Sequence, residues 1–412
     1  MNAQSVDVAV IGGGPAGLAA AVSAKENGAK KIIIIDRNNW IGGILPQCIH
    51  DGFGLEEKGR SMTGPEYLQI YIDEAKKQKV NFMNETMTLQ IDNNKTITAI
   101  NKEGIHKIKA ESIILAMGCR EKTRWNIMVP GDRPSGIYTA GVAQAFINLY
   151  NIMPGKNIVI LGSGDVGLIM ARRLKLEGAN VLGVVEIQPY ASGLPRNVVQ
   201  CLDDYDIPLF LNHTIIHIKG RDRLENVTIK QIDKDMKPLK GTEKKIKCDT
   251  LLLSLGLIPE NELSIETGIK IDNNTGGPVV DQNYETNING IYSCGNCLQV
   301  YDTVDVLAKG AKLAGKYAVL KIRKNQKSIS VKPGKNIRYV IPQKINQKGI
   351  INFTMRVKKP AQSVFLKILA EGKVLYKKKK RWVNPANMIE LDFEISKDIL
   401  KSCKTIEVNF DE

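Results

Sequence analysis

The same arrangement of residues occurs twice in this chain, and it constrains the fold more than any other feature. Each copy is a short apolar run, a glycine-rich turn, a run of helix-forming residues and a second apolar run that ends in an acid. The last glycine of the turn precedes that acid by 19 residues in both copies, from Gly17 to Asp36 and from Gly167 to Glu186. Because strands that alternate with helices are typical of βαβ units, each copy predicts parallel strands joined by a helix.

Both turns follow the pattern G-x-G-x-x-G, in which each glycine has a separate physical role. In the first copy, Gly12 permits a tight turn, Gly14 lets the backbone approach a pyrophosphate, and Gly17 lets the helix pack closely on the strand. The equivalent glycines of the second copy are Gly162, Gly164 and Gly167. A pyrophosphate placed here meets unpaired N–H groups and the positive end of a helix dipole. The sequence therefore predicts two dinucleotide-binding sites; the alternative is one working site and one copy that only supports the fold.

The acid at the end of each second strand indicates which nucleotide binds. A carboxylate at this position accepts hydrogen bonds from ribose hydroxyls and repels a 2′-phosphate, which NADP sites usually bind with a nearby arginine. Glu186 is followed by Ile187, Gln188 and Pro189, and no basic residue occurs before Arg196. The second site is therefore predicted to prefer NAD(H) over NADP(H).

Length, cysteine usage and hydropathy restrict the class of protein further. A chain of 412 residues is expected to contain about two to three domains. Its seven cysteines are an odd and scattered set, and apolar runs such as residues 31–36 are too short to span a bilayer. The N-terminal residues lead directly into the first strand, without the basic and long apolar regions of a signal peptide. These features predict a cytoplasmic protein with reduced thiols and no membrane span.

Several stretches outside the two turns resemble the pyridine nucleotide-disulfide oxidoreductase family. They are residues 113–118, 254–261 and 286–296, and the resemblance covers about residues 5–320. It implies an α/β fold with two Rossmann-like dinucleotide-binding domains, FAD bound in the first and NAD(H) in the second. In this arrangement the cofactors supply the redox chemistry, and the protein supplies binding, orientation and tuning.

The resemblance also implies domain boundaries and a set of cofactor-binding residues. An FAD domain of residues 1–120 and 262–325 would contain an inserted NAD(H) domain of residues 121–261. FAD would be held by Gly12, Gly14, Gly17, Asp36, Gly295 and Asn296, and NAD(H) by Gly162, Gly164, Gly167 and Glu186. The remaining members of the expected set are Pro15, Ala16, Arg37, Gly43, Ala116, Gly118, Val166 and Gly256. Family members usually have aspartate where this chain has Asn296, which keeps hydrogen bonding but removes a charge next to phosphate.

A disulfide reductase of this family passes electrons through two cysteines beside the flavin, and this chain lacks such a pair at the family's spacing. Its one C-x-x-C motif runs from Cys294 to Cys297, around the two expected flavin-contact positions. We interpret it as a redox dithiol or, preferably, as a turn of small buried residues. A zinc site would need a second pair of ligands, which the four histidines do not supply, so no metal is predicted.

Cys48 is the one candidate catalytic residue. Three interpretations are open for this single thiol, and packing as a small apolar residue is ranked first. The second is lining a substrate or electron-exit pocket with His50 and Asp51. The third is cycling through a sulfenic acid as in NADH peroxidases, although the serine-rich motif that precedes the peroxidase cysteine is absent here.

Within the family, the chain resembles the FAD/NAD-binding subunits of opine oxidase, hydrogen cyanide synthase and glycerol-3-phosphate dehydrogenase systems. Residues 42–54, 63–67 and 300–305 carry this resemblance. It implies electron transfer through FAD between NAD(H) and a partner dehydrogenase or electron-acceptor subunit, in the oxidation of glycerol-3-phosphate or of an amine or opine. The alternatives are a stand-alone NADH oxidase or peroxidase that uses Cys48, and a binding scaffold in which the nucleotides only stabilise the fold.

The last part of the chain differs in character from the rest. The net charge is +15, and residues 331–412 contribute +10 of it, from 18 lysines and arginines against 8 acidic residues. Short β-rich runs predict a small, basic, antiparallel β-sandwich at residues 337–412, after a linker at residues 328–336. Residues 377–382 read Lys-Lys-Lys-Lys-Arg-Trp. Because strand alternation sends only every second side chain to one face, we favour a protein-docking or solvated edge strand over nucleic-acid binding.

Overall fold

The computed structural model describes residues 4–320 and 327–411. The chain divides into two compact units, each built from segments that are distant in sequence. Unit 1 consists of Met1–Pro46, Asp51–Cys119 and Pro259–Glu412, and unit 2 of Gln47–His50 and Arg120–Ile258.

The first part of unit 1 contains the first sequence copy. Its elements are β1 (Gln4–Ile11), α1 (Pro15–Glu26), β2 (Ile32–Ile35), α2 (Gly64–Lys77), β3 (Asn81–Met83), β4 (Met87–Ile91), β5 (Thr96–Asn101) and β6 (Gly104–Leu115). The strands lie in the order β3-β2-β1-β6-β5-β4, with β1 parallel to both β2 and β6. All four isoleucines of β2 are buried, which explains why this strand carries no polar alternation. The predicted βαβ unit is confirmed here.

Unit 2 contains the second copy, and the chain enters it through β7 (Cys119–Glu121). Its elements are α3 (Arg124–Ile127), β8 (Ile137–Thr139), α4 (Ala140–Tyr150), β9 (Asn157–Leu161), α5 (Asp165–Leu176), β10 (Asn180–Val185), α6 (Pro195–Cys201), β11 (Leu209–Phe210), β12 (His213–Gly220), β13 (Leu224–Gln231), β14 (Lys244–Lys247) and β15 (Thr250–Leu253). The chain leaves the unit through β16 (Leu257–Pro259). A parallel sheet has the order β11-β10-β9-β15-β8, and β12, β13 and β14 form a separate antiparallel sheet. The second copy is thus also a βαβ unit.

The chain then returns to unit 1. This segment contains α7 (Glu262–Glu266), β17 (Ile291–Ser293), a 3-10 turn at Gly295–Cys297, and α8 (Val304–Leu320). β17 pairs in parallel with β6, which places the turn that follows it at the carboxyl end of the first sheet. In open parallel sheets, ligands bind at this end of the strands.

Residues 327–411, here called the C-terminal module, are almost entirely β-structure. The elements are β18 (Ile329–Pro333), β19 (Ile337–Ile341), β20 (Lys344–Ile345), β21 (Gly349–Val357), β22 (Ala361–Ala370), β23 (Lys373–Val383), β24 (Ile389–Ile395), α9 (Lys397–Ser402) and β25 (Thr405–Asp411). Five strands lie in the order β20-β18-β25-β22-β23 and three in the order β19-β21-β24. Large buried side chains from both sheets, such as Phe353 and Phe410, belong to one hydrophobic core.

One expectation for this region, the linker at residues 328–336, is wrong. The predicted linker contains β18, in which Ile329 and Val331 are buried and alternate with exposed residues. The Pro, Gly and Lys residues that suggested a linker begin only after that alternation, so they mark the end of a strand. Within residues 337–411 the strand pairs are all antiparallel, as predicted, and the parallel pair joins β25 to β18, which precedes that range.

The C-terminal module packs on the segment that follows the Gly295–Cys297 turn. Arg356 lies in β21, and its guanidinium bonds to the Asp302 carboxylate and donates to the Val300 carbonyl at 3.1 Å. Next to it, the Gln299 amide donates to the Thr354 hydroxyl at 2.7 Å, and both side chains are buried. The module is therefore an integral part of unit 1. Among residues 4–320 and 327–411, no helix combines the length and apolar character needed to cross a bilayer.

Candidate nucleotide-binding sites

The first glycine turn is closed by backbone contacts that leave no room for side chains. Gly12 has a φ of +103°, and a Cβ built there would lie 2.3 Å from the carbonyl oxygen of Ala116. A Cβ on Gly17 would lie 1.9 Å from the carbonyl oxygen of Gly12. These positions therefore require glycine, one for the tight turn and one for the contact between helix and strand.

The N-terminus of α1 fits an anionic group. Gly14 is the N-cap of this 12-residue helix and has no side chain that could occupy the first N–H groups. A Cβ on Gly14 would be in van der Waals contact with the Cα of Gly43 at 3.8 Å, and one on Gly43 would be 3.1 Å from the Cα of Gly14, so main chain without side chains lines the helix end. Pro15, the first helical residue, lacks an N–H, and the next donors belong to Ala16 and Gly17. This cradle suits the pyrophosphate of FAD.

Asp36 lies at the end of β2 with its side chain turned towards the turn. The carboxylate is 7% exposed, and its Oδ2 accepts a hydrogen bond from the Gly13 amide at 2.6 Å. Its Oδ1 accepts one from the Asn38 amide at 2.8 Å. A carboxylate offers about four acceptor positions, so Asp36 retains capacity for ribose hydroxyls. Arg37, also in the predicted set, is exposed.

The structure brings residues from the far end of the sequence to this helix N-terminus. A Cβ on Gly295, which has a φ of +71°, would lie 2.6 Å from the Cβ of Ala16. Asn296 accepts a hydrogen bond from the Tyr301 amide at 3.1 Å, and its Nδ2 donates to the Cys119 sulfur at 3.6 Å. Thus Gly12, Ala16, Ala116 and Gly295 converge, as a site for FAD requires.

The Cys294 and Cys297 thiols are both fully buried in this turn. Their side chains belong to different hydrophobic cores, and the Cys297 sulfur donates to the carbonyls of Leu115 and Cys294, each at 3.2 Å. Burial raises the pKa of both thiols, and none of the seven cysteines forms a disulfide. These features favour packing over redox activity, since the thiolate is the reactive form.

The second glycine turn is also packed against backbone atoms, and a serine side chain packs on it in addition. A Cβ on Gly162, with a φ of +93°, would lie 2.1 Å from the Ser254 carbonyl oxygen. On Gly167 the first contact would be the Ser254 Cβ at 2.6 Å, and the Ser254 hydroxyl accepts from the Gly167 amide at 3.2 Å. Gly164 is the N-cap of α5, so a pyrophosphate can meet this helix end also. Sequence reasoning gave Ser254 no role in shaping the turn.

Glu186 occupies the position equivalent to Asp36, but it is held differently. The side chain is 3% exposed, and its Oε2 accepts from the Ser163 amide at 3.0 Å, from the Ser163 hydroxyl and from the Ser192 hydroxyl at 2.9 Å. Its Oε1 accepts only the Gln188 amide among the hydrogen bonds seen, at 2.9 Å. The acceptor position of Glu186 that could bind a ribose hydroxyl therefore lies on Oε1.

A segment after Glu186 folds back onto the N-terminus of α5. The Asp165 carboxylate accepts hydrogen bonds from the Leu194 amide and from the Asn197 side chain, both at 2.7 Å. Sequence reasoning missed Ser192, Asp165 and Asn197, because the pattern gives the turn and the acid but not the segment that covers them. Of the other predicted residues, Val166 is half-buried in α5, and Gly256 has a φ of +89° with its carbonyl bonded to the Lys122 amide at 3.0 Å.

Cys48 lies in a packed part of unit 2 against α4. Its side chain is 8% exposed, and its sulfur is 3.9 Å from the Gln144 side-chain oxygen. The neighbouring Gln47 amide donates to Gln144 at 3.0 Å and to the Gly141 carbonyl at 2.9 Å. Burial raises the pKa of the Cys48 thiol to about 12, so the thiol is protonated at neutral pH. This environment favours packing among the three interpretations.

Comparison with known proteins agrees with this architecture. The model of the family described as pyridine nucleotide-disulphide oxidoreductase matches residues 6–336. The HcnB subunit of hydrogen cyanide synthase from Pseudomonas protegens is 25% identical over 290 residues, which cover 65% of this chain and 60% of that protein. The opine oxidase A subunit from Agrobacterium tumefaciens is 25% identical over 350 residues, which cover 79% of this chain and 66% of that protein. The chain thus spans just under two thirds of the length of these curated relatives.

The solved structures include T. acidophilum thioredoxin reductase, which matches with a TM-score of 0.63 at 22% identity and covers 77% of this chain and 98% of that one. Parallel sheets with two such glycine turns are typical of proteins that bind two dinucleotides, and FAD-dependent oxidoreductases that use NAD(P)H are built in this way. This chain belongs to the pyridine nucleotide-disulphide oxidoreductase family. The predictions of fold class, enzyme class and cofactors are therefore confirmed. The domain boundaries and the individual site residues stay predictions.

Proposed function

We propose that this chain is an electron-transfer flavoprotein that passes electrons through FAD between NAD(H) and a partner dehydrogenase or electron-acceptor subunit. The observation that carries the proposal is a pair of nucleotide units in a chain whose C-x-x-C thiols lie in separate buried cores. Two similar proteins, from hydrogen cyanide synthase and opine oxidase, are named as subunits of those enzymes. The partner would act on glycerol-3-phosphate, an amine or an opine.

The residues of the chain act in this scheme by binding and orientation. FAD, when bound, accepts a hydride and releases its electrons singly or in pairs. The α1 N-terminus and the turn at Gly295 and Asn296 would hold its pyrophosphate and ribityl parts, and Asp36 its ribose. No protein group is required as a general base, because transfer between two bound cofactors depends mainly on their proximity.

The second site is proposed to prefer NAD(H) over NADP(H). Glu186 places a negative charge where a 2′-phosphate would lie, and its carboxylate is kept in position by Ser163, Ser192 and Gln188. A steady-state comparison should give the higher kcat/KM for NADH. A higher kcat/KM for NADPH would contradict this preference.

The function is tested by anaerobic titration of the FAD-loaded protein with NADH while the visible flavin absorbance is followed. The flavin should bleach stoichiometrically, and its colour should return when a competent acceptor protein is added. Protein that does not become yellow on reconstitution with FAD, or flavin that stays oxidised with excess NADH, would refute the proposal.

Replacement of Cys48 separates this function from that of a stand-alone oxidase or peroxidase. In the proposed protein, Cys48→Ser should change NADH-to-dye turnover less than about twofold, because a protonated buried thiol has no part in the transfer. Cys201→Ser is the matched control, since that thiol is also buried in unit 2 and its pKa is raised to about 11. Loss of turnover in Cys48→Ser alone would favour the peroxidase.

A further inference from the structure

Strand β23 forms an edge of the five-stranded sheet in the C-terminal module. It pairs with β22 on one side, and in the described part of the chain no strand pairs with its other side. An edge strand leaves alternate N–H and C=O groups available to another polypeptide. β23 is 11 residues long, which gives such an edge several hydrogen-bonding positions.

The same strand carries the strongest run of positive charge in the protein. The five residues 377–381 are all basic, and each is exposed except Lys380, which is half-buried. Within residues 327–411, none of the five forms an ion pair; Lys377 lies over the Phe365 ring, 4.1 Å from its centroid. By contrast, Lys367 on the neighbouring strand pairs with Asp411 at 2.6 Å. The charge of β23 is therefore not neutralised within its own module.

Both faces of β23 carry this charge. Lys377 and Lys379 lie opposite Lys367 and Phe365, whereas Lys378 lies on the other face, opposite the buried Leu366. Lys378 is nevertheless exposed. Alternation does reduce the number of basic side chains on any one face of the strand, as expected. A partner that lies along the strand edge, however, meets the basic side chains of both faces.

We propose that the edge of β23 is the docking site for an extended acidic segment of a partner protein, which adds to the sheet as a sixth strand. The free edge supplies main-chain hydrogen bonds, and the flanking basic residues pair with carboxylates. The proposal rests on the proposed function, in which a partner protein exchanges electrons with this chain.

The observations favour a polypeptide over nucleic acid. Binding of single strands needs stacking aromatics beside the charges, and Trp382 is the one exposed aromatic on β23. Tyr376 packs instead edge-on against Phe393, with ring centroids 6.0 Å apart. Lysines on an edge strand also repel basic strands, and pairing with a neutral strand would bury their charges without partners. The edge therefore selects an acidic strand.

The test measures binding of a fluorescent peptide of alternating glutamate and threonine to the full-length, FAD-loaded protein at physiological salt. The triple variant Lys377→Glu, Lys379→Glu and Arg381→Glu should weaken binding at least about tenfold. The matched control Lys358→Glu, Lys359→Glu and Lys397→Glu changes the net charge equally at exposed positions outside β23, and should weaken it less than about threefold. N-methylation of alternate peptide amides should abolish binding, and the unmodified peptide should slow amide exchange in residues 373–383.

Equal weakening in the two variants, or an unchanged affinity for the N-methylated peptide, would show a merely solvated charged surface and overturn the proposal. Tighter binding of a thymidine oligonucleotide or of phosphatidylserine vesicles, lost in the same β23 variant, would overturn it in favour of those partners. Flavin bleaching by NADH is recorded for every variant. Failure of bleaching in the unmodified protein would refute the electron-transfer function. Normal bleaching in an unmodified protein that does not bind the acidic peptide would refute only the docking site.

Discussion

The two nucleotide units share a turn but are closed by different kinds of contact. In the first, the glycines lie against backbone oxygens, and Asp36 accepts hydrogen bonds from the Gly13 and Asn38 amides. In the second, the Ser254 side chain packs on the turn, and Glu186 accepts hydrogen bonds from the hydroxyl groups of Ser163 and Ser192. Both turns thus have their first glycine against a backbone oxygen, and they differ at the last glycine and at the acid, where the second unit adds the Ser254 side chain and two serine hydroxyl groups.

This difference agrees with the two roles proposed for the cofactors. A site closed by backbone atoms and by the distant Gly295 turn suits a nucleotide that stays bound, because opening it requires movement of several chain segments. A site closed by a local segment and by serine hydroxyls suits a nucleotide that enters and leaves in each turnover, since few atoms have to move. We infer that FAD is the resident cofactor and NAD(H) the exchanging one.

The largest effect is expected from adding one methyl group to the last glycine of each turn. Gly17→Ala should destabilise unit 1 by about 3 kcal/mol and abolish flavin retention, because its Cβ would overlap the Gly12 carbonyl oxygen, which cannot move without the strand. Gly167→Ala, the matched variant, should cost less, about 2 kcal/mol, since its nearest contact is the Ser254 Cβ at 2.6 Å, a smaller overlap than the 1.9 Å approach to a backbone oxygen in the first turn. Thermal unfolding and flavin content measure both, and equal losses would remove the distinction between the units.

An intermediate effect is expected from neutralising the two acids. Glu186→Gln should lower the NADH-to-NADPH ratio of kcat/KM about tenfold, equivalent to about 1.4 kcal/mol, because the repulsion of a 2′-phosphate is lost. Asp36→Asn, the control in the other unit, should weaken FAD retention and leave that ratio unchanged. Steady-state kinetics with both nucleotides measure the ratio. A ratio that changes in Asp36→Asn but not in Glu186→Gln would mean that the two sites have been assigned in reverse.

The smallest effect is expected from Ser192→Ala, which removes one hydroxyl from the Glu186 carboxylate. The loss should be about 1 kcal/mol of stability and about a twofold rise in KM for NADH, with flavin content unchanged, because the charged acceptor keeps its other partners. Ser135→Ala provides the control, since that exposed hydroxyl donates only to the Asp222 carbonyl and water can replace it. A KM that shifts equally in both variants would show that Ser192 has no special relation to the nucleotide.

Much of the fold could be predicted because its strongest signals are local. The spacing of the glycines and acids gives both βαβ units, and apolar alternation gives most strands of the C-terminal module. The linker prediction failed at β18 because Pro333 and Gly334 lie next to a short alternation of only Ile329 and Val331. Short strands of this kind are recognised only when their partner is known, and here the partner, β25, is the last strand of the chain.

Less of the candidate sites could be predicted, because their closure uses contacts between distant residues. Ser254 shows this most clearly: its side chain packs on Gly167, 87 residues away in the sequence. Outside the sites, Arg356 is a similar case, because its guanidinium binds Asp302 and the Val300 carbonyl and no motif marks it. Cys48 was open to three interpretations in the sequence, and its burial against Gln144 distinguishes among them.

The sequence by itself determined that this protein has two dinucleotide turns, each followed at a fixed distance by an acid, because backbone sterics require glycine at the points where a Cβ would overlap a carbonyl oxygen. Tertiary structure alone decided that Gly295 meets the α1 N-terminus, that serines hold Glu186, and that the basic strand β23 lies at a sheet edge. The Gly295 contact and the strand order join residues far apart in the chain, and the energy of all three features depends on burial and direction in the folded state, which no local pattern records.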